Sequence, residues 1–313
     1  MGLLLLSSGA HAQITNIPLP PPTPLGGTEA ANAGTGTGAD ASPTAMIAKK
    51  KAADYSDAEL RAMGSSVAFP YELLDAFLRR YVDKKGDVYY LKAKGDNDLE
   101  TFVRAVAIAD VSNFPVFSTP VDPKDPAKGV MPDNSAELTF LINAYNGLRL
   151  KTIADAYPKV SGEDLRRLDR VKNLTVGGKR TSFSEMRDKI GKMDARALFA
   201  LMSGTQDGPS APFAVYRFSD LGRSLNAAAR GFVNDQNKVS PPDRLANRVE
   251  VSPFLTEIDP FFKPSGSRRK LGGVRQILST FTSSSSARGY FTTGEYSINP
   301  SLGDNKLNEH LGG

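Results

Sequence analysis

The chain has 313 residues, of which 40% are hydrophobic and 23% are charged, and its formal net charge is +5. It contains no cysteine, and its two histidines, His11 and His310, lie near the two ends of the chain. This composition is typical of a globular protein with one large or two small domains. It excludes a cysteine nucleophile, disulfides and any cysteine-based zinc site, and it disfavours a serine–histidine–aspartate triad.

The mild positive charge does not by itself predict a nucleic-acid partner. The basic residues form two small clusters, Arg166–Lys172 and Arg268–Lys270, and no recognised nucleic-acid-binding module accompanies them. We therefore expect a solvated basic surface and no nucleic acid. The chain has no run of eighteen or more apolar residues, so we also expect no transmembrane segment.

Residues 1–12 resemble the end of a secretory signal peptide. Leu3–Leu6 is a short apolar stretch, and Ala10-His11-Ala12 has the small–x–small pattern that suits cleavage before Gln13. The protein is therefore expected to be periplasmic or secreted.

The next segment, residues 13–54, is rich in Pro, Gly, Thr and Ala. Such a composition cannot bury a core, so this segment is predicted to be a disordered linker. The folded domain is then expected at residues 55–305, with a tail at residues 306–313.

Hydrophobic spacing at the period of a helix predicts seven helices in the remainder of the chain. Ser56 and Glu59 form a capping-box pattern at the start of the first helix. The predicted helices are Tyr55–Met63, Tyr71–Tyr81, Asp98–Asp110, Ser135–Tyr157, Ser184–Ile190, Leu221–Val233 and Gly273–Phe281.

Short strands and turns separate these helices. The paired glycines Gly177 and Gly178 supply the positive φ of a tight hairpin turn. Ala195–Met202 is either a buried strand or the end of a helix. Predicted strands are Val88–Leu91, Leu174–Val176 with its hairpin partner, Arg248–Val251 and Gly289–Ile298, and predicted turns or loops are Lys85–Asp87, Pro115–Pro132 and Ser283–Ser286. This order predicts a single α+β domain with a central helix packed on a small, mainly antiparallel sheet.

Glu137–Leu150 reads ELTFLINAYNGLRL and is the most informative segment of the chain. It carries two asparagines, Asn143 and Asn146, with Tyr145 between them in an otherwise apolar helix. Because asparagine competes for backbone hydrogen bonds, both side chains are expected to be buried with specific partners. Their spacing puts them on one face, where they either tie the helix to its neighbours or order the wall of a pocket.

This segment and several others, in the same order, resemble the domain of unknown function 547 family, a bacterial and plant family usually exported in proteobacteria. The helix signature is carried by Phe140, Ile142, Asn143, Tyr145, Asn146 and Leu148, with Leu141 where the family usually has tryptophan. Further matches are Gly86–Tyr90, Gly178–Met186, Val251–Leu255, Asp259–Phe262 and Glu295–Asn299. The resemblance covers residues 69–304 and implies a distant likeness to papain- or transglutaminase-type scaffolds.

The chain departs from the family where chemistry is expected. Leu198 stands where the family has histidine, and Ser203 and Gly208 stand at its two cysteine positions. A glutamate–histidine pair of the family is replaced by Arg187-Asp188. Since the scaffolds to which the family is likened pair a cysteine with a histidine, the resemblance implies a degenerate site here. We therefore expect no catalytic residue, no cofactor and no metal.

We expect the cleft itself to persist. Its candidate residues are Asn143, Tyr145, Asn146, Asp194, Arg196, Leu198, Ser203, Glu295, Tyr296 and Asn299. Asp194 and Arg196 are also expected to form a local ion pair or cap.

The leading hypothesis is an exported binding or structural module on a degenerate cysteine-hydrolase-like scaffold, with an envelope component or a protein as its partner. The alternative is an envelope hydrolase that uses Ser203 or a pair of carboxylates. The carboxylate candidates are Glu185, Asp194, Asp259 and Glu295. A fold without any ligand is a third possibility.

Overall fold

The helices begin and end close to where hydrophobic spacing and capping residues place them. The computed structural model describes residues 51–64, 69–113, 117–120, 130–263, 270–293 and 295–310, which all belong to one compact unit. The expected signal peptide and residues 13–50 of the expected linker lie outside the described residues. The helices are α1 Asp57–Gly64, α2 Tyr71–Tyr81, α3 Tyr90–Ala93, α4 Asn97–Ile108, α5 Ser135–Ala156, α6 Gly162–Leu168, α7 Phe183–Met193, α8 Leu221–Val233, α9 Pro253–Phe262, α10 Gly272–Phe281 and α11 Ser285–Thr293.

Side-chain caps fix several of these helix starts. Ser56 and Glu59 form the predicted capping box: the Glu59 N–H donates to Ser56 Oγ at 3.3 Å, and the Ser56 N–H donates to the Glu59 carboxylate at 2.8 Å. Asp96 caps α4 by accepting from the N–H groups of Asp98 and Leu99. These bonds satisfy N–H groups that have no partner inside the helix, which explains where α1 and α4 begin.

Helix α5 is the centre of the fold, and 16 of its 22 residues are buried. Helices α2, α3, α4 and α7 all pack against it. Gly147 permits the close approach of α4, because a β-carbon there would lie 2.5 Å from the Phe102 ring. We expected α5 to rest on a small sheet. Helices surround it instead, because a helix that is apolar on all sides needs cover on all sides, which strands of three or four residues cannot provide.

The fold is α+β, and within the described residues the strands form three separate two-stranded sheets. The pairs are β1 Phe117–Pro120 with β2 Val130–Asp133 and β3 Leu174–Val176 with β4 Lys179–Thr181, both antiparallel, and β5 Arg248–Val251 with β6 Ser297–Pro300, parallel. Gly177 and Gly178 turn the β3–β4 hairpin with φ values of 57° and 74°, as predicted.

The predicted strand Val88–Leu91 is wrong. Val88 makes isolated bridges to Val82 and Glu309, and helix α3 begins two residues later. The Tyr90 hydroxyl donates to Asn308 Oδ1 at 2.7 Å. The contact that shapes this segment therefore comes from the far end of the chain, which a local pattern of β-branched and aromatic residues does not reveal.

Four other local predictions need correction. The expected strand Gly289–Ile298 is wrong up to Thr293, because those residues belong to helix α11. The expected loop Ser283–Ser286 is shorter than predicted, because α11 already begins at Ser285. Ala195–Met202 is neither a strand nor the end of an α-helix, because residues 195–200 form a 3₁₀ helix. The loop Pro115–Pro132 contains β1 and the start of β2, and residues 114–116 and 121–129 lie outside the described part of the chain.

Both boundaries of the expected domain also move outward. The expected linker ended at residue 54, yet Ala52 is buried and its carbonyl accepts from Thr101 Oγ1 at 3.0 Å. The expected tail began at residue 306, yet Asn308 is buried and its side chain donates to Gly86 O at 3.0 Å. None of the described helices is long and apolar enough to cross a membrane.

Candidate functional site

The two asparagines of α5 each bind the backbone of another segment in both directions. The Asn143 side chain donates to Tyr216 O at 2.9 Å and accepts from Tyr216 N at 3.0 Å. Asn146 donates to Ala200 O and accepts from Met202 N, both at 2.9 Å. Both side chains are buried, and neither lines either of the two pockets described below. Their contacts support the structural interpretation, in which they tie α5 to Tyr216 and to the end of the 3₁₀ helix at Ala200.

A small pocket of about 60 Å³ lies among α5, α6, α7 and α9. We call it the arginine pocket and define it by Tyr145, Arg149, Arg166, Arg187, Leu198 and Ser203, which all line it. It therefore brings together three of the expected cleft residues. Gly208 lines it too, so the three positions that the motif resemblance matches to a histidine and two cysteines meet at one place.

Arg149 lies one turn after Asn146 on α5, and only 2% of its surface is exposed. Its Nη2 donates to Asp169 Oδ1 at 2.5 Å and to Tyr145 Oη at 3.0 Å. Its guanidinium carbon lies 4.0 Å from the centre of the Phe183 ring. Nε and Nη1 are buried without an acceptor among the described residues. Since a guanidinium carries five N–H groups, three of them have no protein acceptor there.

Arginine–carboxylate pairs supply most of the charge around this pocket. All six side chains line it, so the pairs bring equal numbers of positive and negative groups. The pairs and their N–O distances are Arg149–Asp169 at 2.5 Å, Arg166–Asp207 at 2.7 Å and Arg187–Glu257 at 3.2 Å. From the sequence, Arg187 was named only as a departure from the family and Arg166 only as part of a solvated basic cluster, and the three pairs were not predicted. Arg149 was the available signal, because a charge within the apolar run of α5 requires a partner.

Ser203 is held as a structural hydroxyl. Its Oγ lies 2.9 Å from Thr205 O and 3.3 Å from Pro209 O, to which it can donate, and it accepts from Thr205 N at 3.0 Å. The Thr205 hydroxyl donates onward to Asp207 Oδ1 at 2.5 Å. A serine nucleophile needs a base that takes its proton. Among the described residues no side-chain base contacts Ser203 Oγ, and Leu198 at the family's histidine position cannot act as one.

Ser203 and Gly208, which the motif resemblance matches to cysteines, lie next to each other in this chain. A β-carbon on Gly208 would lie 2.3 Å from the β-carbon of Ser203. The buried Lys238 donates from Nζ to Gly208 O at 3.0 Å and fixes this loop, and burial lowers the pKa of the Lys238 amine. At 2.3 Å the two β-carbons would clash, so position 208 has no room for a side chain while Ser203 keeps its place.

Asp194 and Arg196 lie in a second, open depression of about 680 Å³. Asp194 Oδ1 accepts from the Arg196 N–H at 2.9 Å and so caps the 3₁₀ helix Ala195–Ala200. The two side chains also form an ion pair at 2.5 Å, and Arg196 donates to Asn226 Oδ1 at 3.0 Å. The expected local ion pair and cap are both present, and both side chains are partly exposed.

Glu295, Tyr296 and Asn299 line neither of these pockets. Tyr296 is buried with its ring centre 4.5 Å from the Arg275 guanidinium carbon, and its carbonyl accepts from Arg275 at 2.6 Å. Asn299 faces Glu250 in the parallel β5–β6 pair. Parallel pairing, which the sequence pattern did not indicate, thus holds this motif at the edge of the fold.

The other expected carboxylates have separate partners. Glu185 pairs with Lys172 at 2.5 Å, and the hydrogen bond from Lys172 lowers the pKa of the Glu185 carboxyl. Asp259 accepts from the Val274 N–H at 3.0 Å. In the part of the chain that the structure describes, no group of three histidine, aspartate or glutamate side chains is placed to hold a metal ion.

Comparison with known proteins finds no relative of this chain. No protein-family model matches the chain, and neither does any curated protein or solved structure. The resemblance to the domain of unknown function 547 family stays a prediction from the motifs in the sequence. The geometry of the arginine pocket is therefore the main basis for an argument about function.

Proposed function

We propose that this protein is an exported, non-catalytic binding module and that its binding site is the arginine pocket. The observation that carries the proposal is the buried Arg149, which lines the pocket and whose Nε and Nη1 have no acceptor among the described residues. Binding of a polar ligand requires such donors. Acid–base or nucleophilic catalysis requires a proton acceptor next to the reacting group. Leu198 cannot accept a proton, and no side-chain base among the described residues contacts Ser203.

The competing function is a hydrolase of an envelope polymer, and one observation favours it. Ser203 lines the same pocket as the carboxylates of Asp169, Asp207 and Glu257. Each of these carboxylates, however, already accepts from an arginine. These carboxylates hold the arginines in place, and this arrangement suits a binding site better than a catalytic one.

A fluorophosphonate probe separates the two functions. We expect no labelling of Ser203 by mass spectrometry, because its hydroxyl has no base. The matched control is Ser203→Ala, which should likewise carry no probe adduct. Stoichiometric labelling of Ser203 that disappears in Ser203→Ala would contradict the proposal and make the protein a hydrolase.

A thermal-shift screen tests binding itself. At least one of a set of small anionic, neutral and cationic molecules is expected to raise the Tm of the wild type. The Arg187→Trp variant, which places a bulky ring at the rim of the pocket, is expected to remove that shift, while Arg79→Trp on the exposed surface of α2 should keep it. A screen in which no molecule binds would argue for a fold without a ligand.

Export rests on residues 1–12 alone. Cleavage after Ala12 gives a mature chain that begins at Gln13. N-terminal sequencing of the protein from a periplasmic or secreted fraction should find Gln13. Recovery of the chain from the cytosol with Met1 intact would contradict this part of the proposal.

A further inference from the structure

We propose that Lys238 is a covalent capture site for small apolar aldehydes, with its side-chain amine forming an imine with the carbonyl carbon of the ligand. This inference goes beyond the proposed binding function and concerns a different pocket, of about 230 Å³, beside helix α8. We call it the lysine pocket and define it by Phe199, Pro209, Tyr216, Ala228, Phe232 and Lys238, which all line it.

The amine of Lys238 lies at the wall of the lysine pocket. Only 7% of the surface of Lys238 is exposed. Its Nζ donates to Gly208 O at 3.0 Å and lies 5.8 Å from the centre of the Phe232 ring. Pro209, which follows that carbonyl, and Phe232 both line the pocket. The end of the lysine side chain is therefore held between two parts of the pocket wall.

Lys238 is buried without an ion pair to any of the described residues. Water stabilises an ammonium group better than a protein interior does, so a buried amine tends to lose its charge. Burial accordingly lowers the pKa of the Lys238 amine, and the carboxylates of Asp235, Asp207 and Asp87 offset only part of this effect. A neutral amine keeps its hydrogen bond to Gly208 O through one N–H and has a lone pair available for a new bond.

The characteristic reaction of a neutral lysine amine in an apolar pocket is addition to a carbonyl group. The nitrogen lone pair forms a bond to the carbonyl carbon while the electrons of the C=O π bond move to the oxygen. Both hydrogens of the amine then leave with that oxygen as water, and an imine remains. The step needs no oxidant or reductant. After protonation by solvent, the imine nitrogen again carries one N–H, which can donate to Gly208 O.

The wall of the lysine pocket favours an apolar ligand. The rings of Phe199, Tyr216 and Phe232 and the methyl group of Ala228 belong to residues that line it. Burial of hydrocarbon against such side chains is favourable, and aromatic rings also pack well on one another. A pocket of about 230 Å³ is smaller than those that hold drug-sized molecules. We therefore expect a ligand the size of one ring with an aldehyde group.

The experiment exposes the full chain to benzaldehyde at neutral pH, reduces any imine with cyanoborohydride and maps the adduct on each lysine by mass spectrometry. We expect at least about tenfold more adduct at Lys238 than at Lys192, an exposed lysine of α7, because the pocket holds the carbonyl next to the amine. Glyceraldehyde, a polar aldehyde, should label Lys238 no more than Lys192.

The pH dependence of labelling is a second readout, which a purely structural lysine would not produce. A lowered pKa leaves more of the Lys238 amine neutral at a given pH. Labelling of Lys238 should therefore reach its plateau below the ordinary lysine pKa of about 10.4. A labelling curve that still rises at that pH would contradict the proposed reactivity of the amine.

Two variants of α8 test whether the pocket brings the aldehyde to the amine. Ala228→Phe fills the pocket and leaves Lys238 in place, so most of the adduct at Lys238 should be lost. The matched control is Ala227→Phe, because Ala227 is the preceding residue, is exposed and does not line the pocket. This control should keep the adduct at the level of the wild type.

Each outcome supports or overturns one part of the inference. Equal labelling of Lys238 and Lys192 by benzaldehyde overturns it, and so does undiminished labelling in a folded Ala228→Phe variant. Equal labelling of Lys238 by glyceraldehyde and benzaldehyde overturns the ligand class. If Ala228→Phe does not fold, the two aldehydes on the wild type decide the question. Lys238 does not line the arginine pocket, so these outcomes leave the proposed binding function to its own tests.

Discussion

Asn146 and Arg149 lie one turn apart on the same buried helix, and their hydrogen bonds differ in kind. The Asn146 amide uses both its oxygen and its nitrogen on the backbone of residues 200 and 202. Arg149 uses one nitrogen on Asp169 and Tyr145, and its other two nitrogens have no acceptor among the described residues. Burial alone therefore does not distinguish a polar group whose hydrogen bonds the described residues satisfy from one whose hydrogen bonds they leave open.

The difference has a physical cause. A side-chain amide offers an acceptor and a donor group that match a backbone N–H and C=O, as Asn143 does with those of Tyr216. A guanidinium carries five N–H groups, and among the described residues Arg149 has a single carboxylate partner, Asp169. The predictions below test whether these two kinds of buried group respond differently to the loss of a partner.

The largest effect is expected for Asp169→Ala, which removes the carboxylate that compensates Arg149. A buried charge without its partner destabilises a protein by about 3–5 kcal/mol. Arg149→Met should cost less, because it removes the charge together with the three N–H groups and leaves Asp169, which is 19% exposed, in contact with water. Urea unfolding of both variants measures the difference in their free energies of unfolding. Equal losses would show that the Arg149 guanidinium has hydrogen-bond acceptors other than those described.

Loss of an asparagine should have a smaller and uniform effect. Asn146→Ala and Asn143→Ala each leave a backbone N–H and a C=O without their partner, which costs about 1–3 kcal/mol. Asn299→Ala is the matched control, since Asn299 is exposed, and its free energy of unfolding should stay within about 0.5 kcal/mol of the wild type. A wild-type stability for Asn146→Ala would reopen the ligand interpretation of the asparagine motif.

How much of this could be predicted from the sequence depends on the range of the contact. Helix α8 and strand β5 were predicted at their observed bounds, and the capping box of Ser56 was also predicted, because apolar spacing and caps are local properties. The strand predicted to begin at Val88 is wrong, because the conformation there depends on a partner more than two hundred residues away. Such partners leave no trace in local periodicity.

The same limit applies to the site. Tyr145, Leu198 and Ser203 were placed in one cleft through the resemblance of their motifs, and the structure brings them together. Tyr296 was grouped with them on the same basis, but it is buried beside Arg275, immediately before β6, and does not line this pocket. The order of the motifs indicates which segments are candidates for the site. The distance between those segments in space depends on packing, which local sequence does not determine.

A smaller effect is expected in the loop that closes the arginine pocket. Gly208→Ala puts a β-carbon 2.3 Å from the β-carbon of Ser203. Overpacking of this kind typically costs between 1 and 3 kcal/mol, and we expect about 1–2 kcal/mol because the loop can shift. Ser203→Gly combined with Gly208→Ala exchanges the two side chains and should recover part of the loss in thermal unfolding. No recovery in the double variant would show that residues 203 and 208 do not limit each other.

The smallest effect is expected at Arg196, because its ion pair with Asp194 is partly exposed and water can replace either partner. Its ion pair with Asp194 should contribute at most about 1 kcal/mol, since exposed pairs are weakened by solvent and salt. Asp194→Ala should cost more than Arg196→Ala, because Asp194 also caps the 3₁₀ helix through the Arg196 N–H, and loss of a cap costs about 0.5–2 kcal/mol. Unfolding at low and high salt separates the two terms: the Arg196→Ala difference should shrink with salt, and the larger cost of Asp194→Ala should persist. If Arg196→Ala proved the more costly of the two, Arg196 would have to be grouped with Arg149 as a charge on which the structure depends.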